Sequence, residues 1–304
     1  MSKSLKAPEA QSVKVYVVIL VGGKGKRLRP LSTEGRPKAF LSVTKNRKTM
    51  FANTLDRARL LVGEDNIMVV ANKAHQKLVS KDFRAIKKEN LILEPVSRNT
   101  APAIALAAHR LAGRRGDAIM IILPSDQYVT DSSKYLDSIE KGVGFVSDVR
   151  NGTIVLGIKP KTPSTQFGYI LVTGDGVRGT GIRKVLEFTE KPDLETAKIY
   201  VRSGQYLWNA GAFIFKANTI LKAIKRFAPK IYALLDKLDK NMKNYEDMPD
   251  ISIDYAVMEK TRNIYCVKGT YGWNDIGSFD SLVSVLKRES RRFILNDGKV
   301  TAIL

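Results

Sequence analysis

Two hydrophobic periods alternate along the first half of the chain. Residues 13–21, 66–71, 91–93 and 118–123 are short runs dominated by Val, Ile and Leu, the composition of strands buried on both faces. Between them, residues 49–62, 73–89 and 101–112 space their apolar positions as helices do. This order predicts right-handed βαβ units, and so a Rossmann-like α/β fold with a mostly parallel central mixed sheet flanked by helices. Ligands of such sheets bind beyond the carboxyl ends of the strands. Gly22, Glu94 and Asp126 all fall there.

The second half is more mixed. Strands are expected over 153–158, 168–173, 182–189, 211–215 and 263–267, and helices over 194–203, 219–238 and 255–260, with Pro229 breaking the middle helix. The boundaries suggest a flexible extension over 1–12, a main domain over 13–286, and a short basic tail over 287–304 that ends in a strand.

The most specific chemistry follows the first strand: Leu20-Val21-Gly22-Gly23-Lys24-Gly25-Lys26-Arg27-Leu28-Arg29-Pro30-Leu31. A glycine-rich loop leaving a buried strand brings bare backbone N–H groups against phosphates, and Lys24, Lys26, Arg27 and Arg29 add positive charge. Better-known phosphate loops do not fit. No window supplies G-x-x-x-x-G-K-[ST], and a G-x-G-x-x-G begun at Gly23 and Gly25 meets Leu28 where its last glycine belongs. A Walker ATPase and a hydride-transfer enzyme are both disfavoured.

Composition narrows the classes further. The chain has 304 residues, enough for one large α/β domain, and 44% of them are hydrophobic. A formal charge of +21, with 14 basic against 3 acidic residues in the first 60, favours anionic partners. Neither zinc-finger spacing nor an RNP-type aromatic signature marks a specific nucleic-acid binder. No apolar run is long enough for a membrane span, residues 1–12 lack the apolar stretch of a signal peptide, and Cys266 is the single cysteine. A cytoplasmic protein without a disulfide or a thiolate metal site is expected. His75 and His109 have no metal-ligand partner one turn away.

Past the loop come Arg36-Pro37-Lys38, Glu94-Pro95-Val96-Ser97-Arg98-Asn99-Thr100, Leu123-Pro124-Ser125-Asp126, Phe167-Gly168-Tyr169-Ile170, Phe188-Thr189-Glu190-Lys191-Pro192, Trp208-Asn209-Ala210-Gly211 and Trp273-Asn274-Asp275-Ile276-Gly277-Ser278. In this order the segments resemble the sugar nucleotidyltransferases, and among them the mannose-1-phosphate guanylyltransferases, or GDP-mannose pyrophosphorylases. The resemblance covers residues 13–281. Arg29, Gln127 and Lys26 depart from the usual Trp, His and Thr, which bears on substrate preference rather than on the carboxylates.

The resemblance implies transfer of GMP from GTP to mannose 1-phosphate, giving GDP-mannose and pyrophosphate, by in-line attack of the sugar phosphate. A related hexose 1-phosphate or another NTP, or a non-catalytic regulatory homologue, are the alternatives. It implies Mg²⁺ between Asp126 and Asp275, with Arg27 and Lys38 on the β- and γ-phosphates and Lys191 on the sugar phosphate. Nucleotide contacts fall to Leu20, Gly22, Gly23, Gly25, Lys26, Glu94, Asn99, Thr100, Pro124 and Ser125, and sugar contacts to Gly168, Tyr169, Glu190 and Asn209. Glu94 would read the base: an ionised carboxylate can accept both guanine N1–H and the N2 amino group, whereas related thymidylyltransferases carry Gln. No specific nucleic acid, membrane partner or covalent enzyme intermediate is expected, and a homodimer is compatible with the resemblance.

Overall fold

The computed structural model describes residues 13–304 apart from 24, 116, 175, 239–241 and 297–298. The expected N-terminal extension over 1–12 and the loop residue Lys24 lie outside the described residues.

The first half builds β1 (Val15–Val21), α1 (Met50–Leu61), β2 (Ile67–Asn72), α2 (Gln76–Asp82), β3 (Leu91–Glu94), α3 (Thr100–Arg115) and β4 (Ile119–Pro124). Strands β2 and β4 flank β1 in parallel register, Val17 facing Ile67 and Ile121, and β3 extends the sheet beyond β2. Along β1, Tyr16 and Val18 enter one apolar cluster while Val17 and Ile19 enter the other. A strand covered on both faces has no solvent side, which is why its sequence reads as an unbroken apolar run.

The expected helix over 73–89 is shorter in the structure. It comprises a 3-10 turn, α2, and a second 3-10 turn before β3. Phe83, fully buried with Phe51 and Val79, follows α2 directly, and its burial decides where the helix stops.

The second half begins with the two-residue β5 (Tyr128–Val129), followed by α4 (Ser132–Asp148), β6 (Thr153–Ile158), β7 (Tyr169–Val172), β8 (Arg183–Thr189), α5 (Leu194–Ser203) and β9 (Tyr206–Lys216). Then come α6 (Ala217–Phe227), α7 (Pro229–Leu235), β10 (Ile264–Gly269), β11 (Trp273–Asn274), α8 (Phe279–Arg288), β12 (Phe293–Asn296) and β13 (Lys299–Ile303). Pro229 opens α7, where its missing N–H costs nothing.

The nine-stranded sheet runs β3-β2-β1-β4-β9-β6-β10-β8-β7. It is parallel from β3 to β4; beyond β4 only β6 and β10 pair in parallel. Strand β9 also pairs through its first residues with β7, which closes the second half on itself. Strands β12 and β13 pair antiparallel, and Val300 of β13 is buried in a cluster with Leu28, Leu41 and Ile276.

Candidate active site

A cavity of about 310 Å³ opens at the carboxyl ends of β1, β3 and β4. Leu20, Gly22 and Gly23 come from the first loop, Glu94, Ser97, Asn99 and Thr100 from the second, and Pro124 and Asp126 from the third. Gly211 and Phe213 of β9, with Ile253 and Asp254, form the opposite wall. The parallel strands thus deliver three separated motifs to one edge, as the sequence led us to expect.

The loop geometry explains its glycines. Gly25 adopts a left-handed conformation (φ +56°), and a Cβ there would lie 2.8 Å from Ser32 Oγ and 3.1 Å from Lys38 Cβ. Ser32 Oγ donates to the Gly25 carbonyl at 2.5 Å and holds the turn shut. Arg27 then projects outward, its Nη1 donating to Gln166 Oε1 at 2.7 Å. Lys26 is also exposed.

Asp126 and Asp275 are brought together by a short ribbon. Strand β5 pairs antiparallel with β11, Tyr128 opposite Asn274, so the residues just outside the pair are Asp126-Gln127 and Asp275. Gln127 braces this arrangement: its Nε2 donates to the Ala210 carbonyl at 2.6 Å, and its Oε1 accepts from Trp273 Nε1 at 2.9 Å. Lys38, buried after Pro37, joins the two sides. Its Nζ lies 2.9 Å from Asp126 Oδ2 and donates to the Asp275 carbonyl. Burial pushes the Asp275 carboxyl above its ordinary pKa; Lys38 pulls it back, Asp126 raises it further, and Arg27 opposes that rise.

Whether these residues suit Mg²⁺ follows from the donor set. Mg²⁺ prefers hard oxygen ligands and keeps several waters, taking one or two carboxylates plus substrate phosphates rather than a full protein cage. Two carboxylates converge here, and among the described residues no group of three or more His, Cys, Asp or Glu forms a cage elsewhere. The pair fits that ion.

On the other side of the cavity the backbone itself positions the polar groups. The ladder between β6 and β9 shifts register near Gly157, and Gly211 sits at φ +69°. Such irregularities re-aim side chains at sites. Asn209, next to this irregularity, donates through Nδ2 to Asp254 Oδ1 at 2.8 Å, while its Oδ1 accepts from Gly211 N at 2.8 Å. Its own N donates to the Gly168 carbonyl at 2.8 Å. Lys191, at φ +49°, turns its Nζ to within 3.1 Å of Glu190 Oε1. Glu190 and Asp254 face each other across this group, and both carboxyls hold their protons more tightly than usual, chiefly because they are buried.

The expected site residues therefore form three connected groups: the cavity, the Lys38 cluster, and the Glu190–Lys191–Asn209 group. Lys26 stays exposed on the loop, and two further residues do not reach these groups as side chains. Ser125 is fully buried, its N donating to the Leu20 carbonyl at 3.2 Å. Tyr169 lies in an apolar cluster with Ala197 and Trp208, its hydroxyl accepting from Ser164 N at 2.9 Å. Both side chains are fully buried.

The sequence reading missed Asp254 and Tyr245. Asp254 opens a π-helical turn, Asp254–Met258, in place of the α-helix expected over 255–260. Its signal was an acid interrupting the otherwise apolar Ile253 and Ala256-Val257-Met258. Tyr245 carried no signal at all. Its hydroxyl donates to Glu94 Oε1 in the cavity wall.

The nine-stranded α/β sheet, with a glycine-rich loop leaving β1 and a cavity at the carboxyl ends of its parallel strands, has the architecture of a nucleotide-binding domain. Residues 16–291 match the Nucleotidyl transferase family, and the chain belongs to it. It is 39% identical to a mannose-1-phosphate guanylyltransferase of Salmonella muenchen, over 93% of this chain and 62% of that protein. It is 37% identical to the alginate biosynthesis protein AlgA of Pseudomonas syringae pv. tomato, over 90% of this chain and 58% of the relative. The chain thus spans about 60% of the length of these curated relatives. A Thermus thermophilus structure described as mannose-1-phosphate geranyltransferase superposes with a TM-score of 0.82 at 30% identity, covering 93% of this chain and 83% of that one.

Proposed function

We propose that this chain transfers GMP from GTP to α-D-mannose 1-phosphate, releasing pyrophosphate and GDP-mannose. A phosphate oxygen of the sugar phosphate attacks the α-phosphorus, a new P–O bond forms, and the bond to the β-phosphate oxygen breaks. No protein nucleophile takes part. Catalysis of such a step is mainly positioning and charge neutralisation. Magnesium held by Asp126 and Asp275 would supply positive charge to the reacting phosphates.

The chain's own residues do the rest. The backbone of Gly22, Gly23 and Gly25 receives the triphosphate, and Lys26, Arg27 and Lys38 offset the charge that grows on departing pyrophosphate. Lys191 meets the sugar phosphate, while Glu190, Asn209 and the Gly168 backbone take sugar hydroxyls. Glu94 accepts from the guanine edge, with Asn99 and Thr100 on the same loop. An enzyme using GTP and a sugar phosphate suits a cytoplasmic setting.

One observation carries this reading: a buried carboxylate, Glu94, lies in the same cavity as Asp126, so a base and a reacting phosphate can be held by one site. The similarity to mannose-1-phosphate guanylyltransferases supports the choice of sugar and base. The test is a matrix of the common NTPs against several hexose 1-phosphates with Mg²⁺, read by pyrophosphate release. Release should be strongest with GTP and mannose 1-phosphate together and negligible when either is omitted. Preference for another pair would reassign the substrates, and silence across the matrix would remove the activity.

A further inference from the structure

Glu94, at the end of β3, is only 7% exposed, and what exposure it has faces the cavity. Its neighbour in space is Tyr245, fully buried in a 3-10 turn, Tyr245–Asp247, far along the chain. The Tyr245 hydroxyl donates to Glu94 Oε1. The two segments are joined at further points. Arg98 Nη2 donates to the Glu246 carbonyl, Ala101 N donates to the Ile251 carbonyl at 3.1 Å, and Ile253 N donates to Thr100 Oγ1 at 2.9 Å. Residues 245–253 are thereby stitched along the loop that carries Glu94, and Ile253 at the end of this segment lines the cavity.

Packing does not require a hydroxyl at position 245. The ring sits in the main apolar cluster, where phenylalanine would fill the same space. The hydroxyl's hydrogen-bond partner is the cavity carboxylate. A carboxylate has about four lone-pair sites, so one bond from Tyr245 leaves room for two more donors while fixing the plane of the group.

We propose that Tyr245 is a positioning residue for base selection: its hydroxyl locks the Glu94 carboxylate in the orientation that accepts two adjacent donors from a purine edge bearing N1–H and a 2-amino group. The inference rests on the reading of Glu94 as the base contact. Without the hydroxyl, the carboxylate turns more freely and also holds its proton more tightly, because the hydrogen bond from Tyr245 favours the ionised form. Asp126 and Asp254 share the cavity with Glu94, and Arg98, on the same loop as Glu94, lies beside Tyr245.

The experiment compares Tyr245→Phe and Glu94→Gln with the unaltered chain, using GTP and ITP, which lacks the 2-amino group, each with mannose 1-phosphate. Tyr245→Phe should lower kcat/KM for GTP about five- to tenfold, the scale of one net hydrogen bond, and lower that for ITP much less. KM for mannose 1-phosphate should not change. The acidic limb of the GTP profile should move to higher pH. An equal loss with GTP and ITP, with an unmoved acidic limb, would reduce Tyr245 to a packing residue and overturn the inference. If Glu94→Gln contracts the GTP/ITP ratio but Tyr245→Phe does not, this inference alone fails. If Glu94→Gln leaves the ratio untouched, the base-reading role of Glu94 fails first. Tyr245→Met, which also lacks the hydroxyl, serves as the second variant should the phenylalanine form misfold.

Discussion

Replacing Glu94 by Gln should stabilise the protein above neutral pH while weakening its choice of base. Burial pushes the Glu94 carboxyl from 4.5 up to about 7, even with Tyr245 donating to it. The sign follows from linkage. Below the unfolded-state value the carboxyl is protonated in both states and exacts no penalty. As pH rises through the interval, the unfolded chain releases the proton and the folded chain retains it, so stability is lost until the folded group ionises near 7. A difference of about 2.5 units at 1.36 kcal/mol per unit gives a ceiling of about 3 kcal/mol. Glutamine keeps the shape and can still accept from Tyr245, yet it has no charge to desolvate. The variant should therefore gain roughly 5 °C in Tm at pH 8 relative to the unaltered chain, for about 2 °C per kcal/mol in a domain of this size. The gain should fade to nothing by pH 4. Paired thermal melts between pH 4 and 8 measure it. A Tm difference that is constant across that range, or that favours glutamate at pH 8, would refute the argument that Glu94 is held at a desolvation cost. With GTP the same variant should lose ~1.5–3 kcal/mol of transition-state stabilisation in kcat/KM, the range for a hydrogen bond to a charged group.

Asp126→Asn and Asp275→Asn should each lower kcat by roughly two or more orders of magnitude with the fold intact by circular dichroism, as expected when a fixed transition-state charge is lost; near-normal rates in both would remove the assigned site. Arg27→Ala should depress the chemical rate more than it weakens mannose 1-phosphate binding, and Lys191→Ala the reverse, if, as proposed, Arg27 meets the departing pyrophosphate and Lys191 the sugar phosphate. Steady-state kinetics with each substrate varied separate these cases, and an identical pattern in both variants would contradict the division. Gln127→Ala should lower kcat about ten- to hundredfold without raising KM for GTP, since its amide braces the ribbon that aligns the two aspartates. Unchanged turnover would show that the ribbon holds without it.

The buried β1, β2 and β4 were legible because a strand covered on both faces must be apolar throughout, and the glycine-rich loop was legible because its chemistry is local. Helix α4 was not. Its Gly142 and Gly144 lower helix propensity, and the reason for the first lies across the sheet: a Cβ on Gly142 would stand 2.5 Å from Ile214 Cδ1 of β9. Strand β9 was seen only over 211–215, because Asn209 and Gly211 interrupt its pattern where the ladder bends to present Asn209. Within the candidate site, residues that sit in a motif are visible in the chain, whereas Tyr245 and Asp254 touch Glu94 and Asn209 only through contacts that the fold creates. Ser125 and Tyr169 show the converse. Both sit inside recognisable motifs, and both turn their side chains into the core.

The most direct test of nucleotidyl transfer follows the label. The chain is incubated with mannose 1-phosphate and GTP radiolabelled at either the α- or the γ-phosphate, and the products are separated by ion-exchange chromatography. The account predicts that the α-label appears in a nucleotide-sugar that co-elutes with GDP-mannose, and that the γ-label appears only in pyrophosphate, in equal amount. Appearance of the γ-label on the sugar or as inorganic phosphate, or no transfer of the α-label, would contradict it.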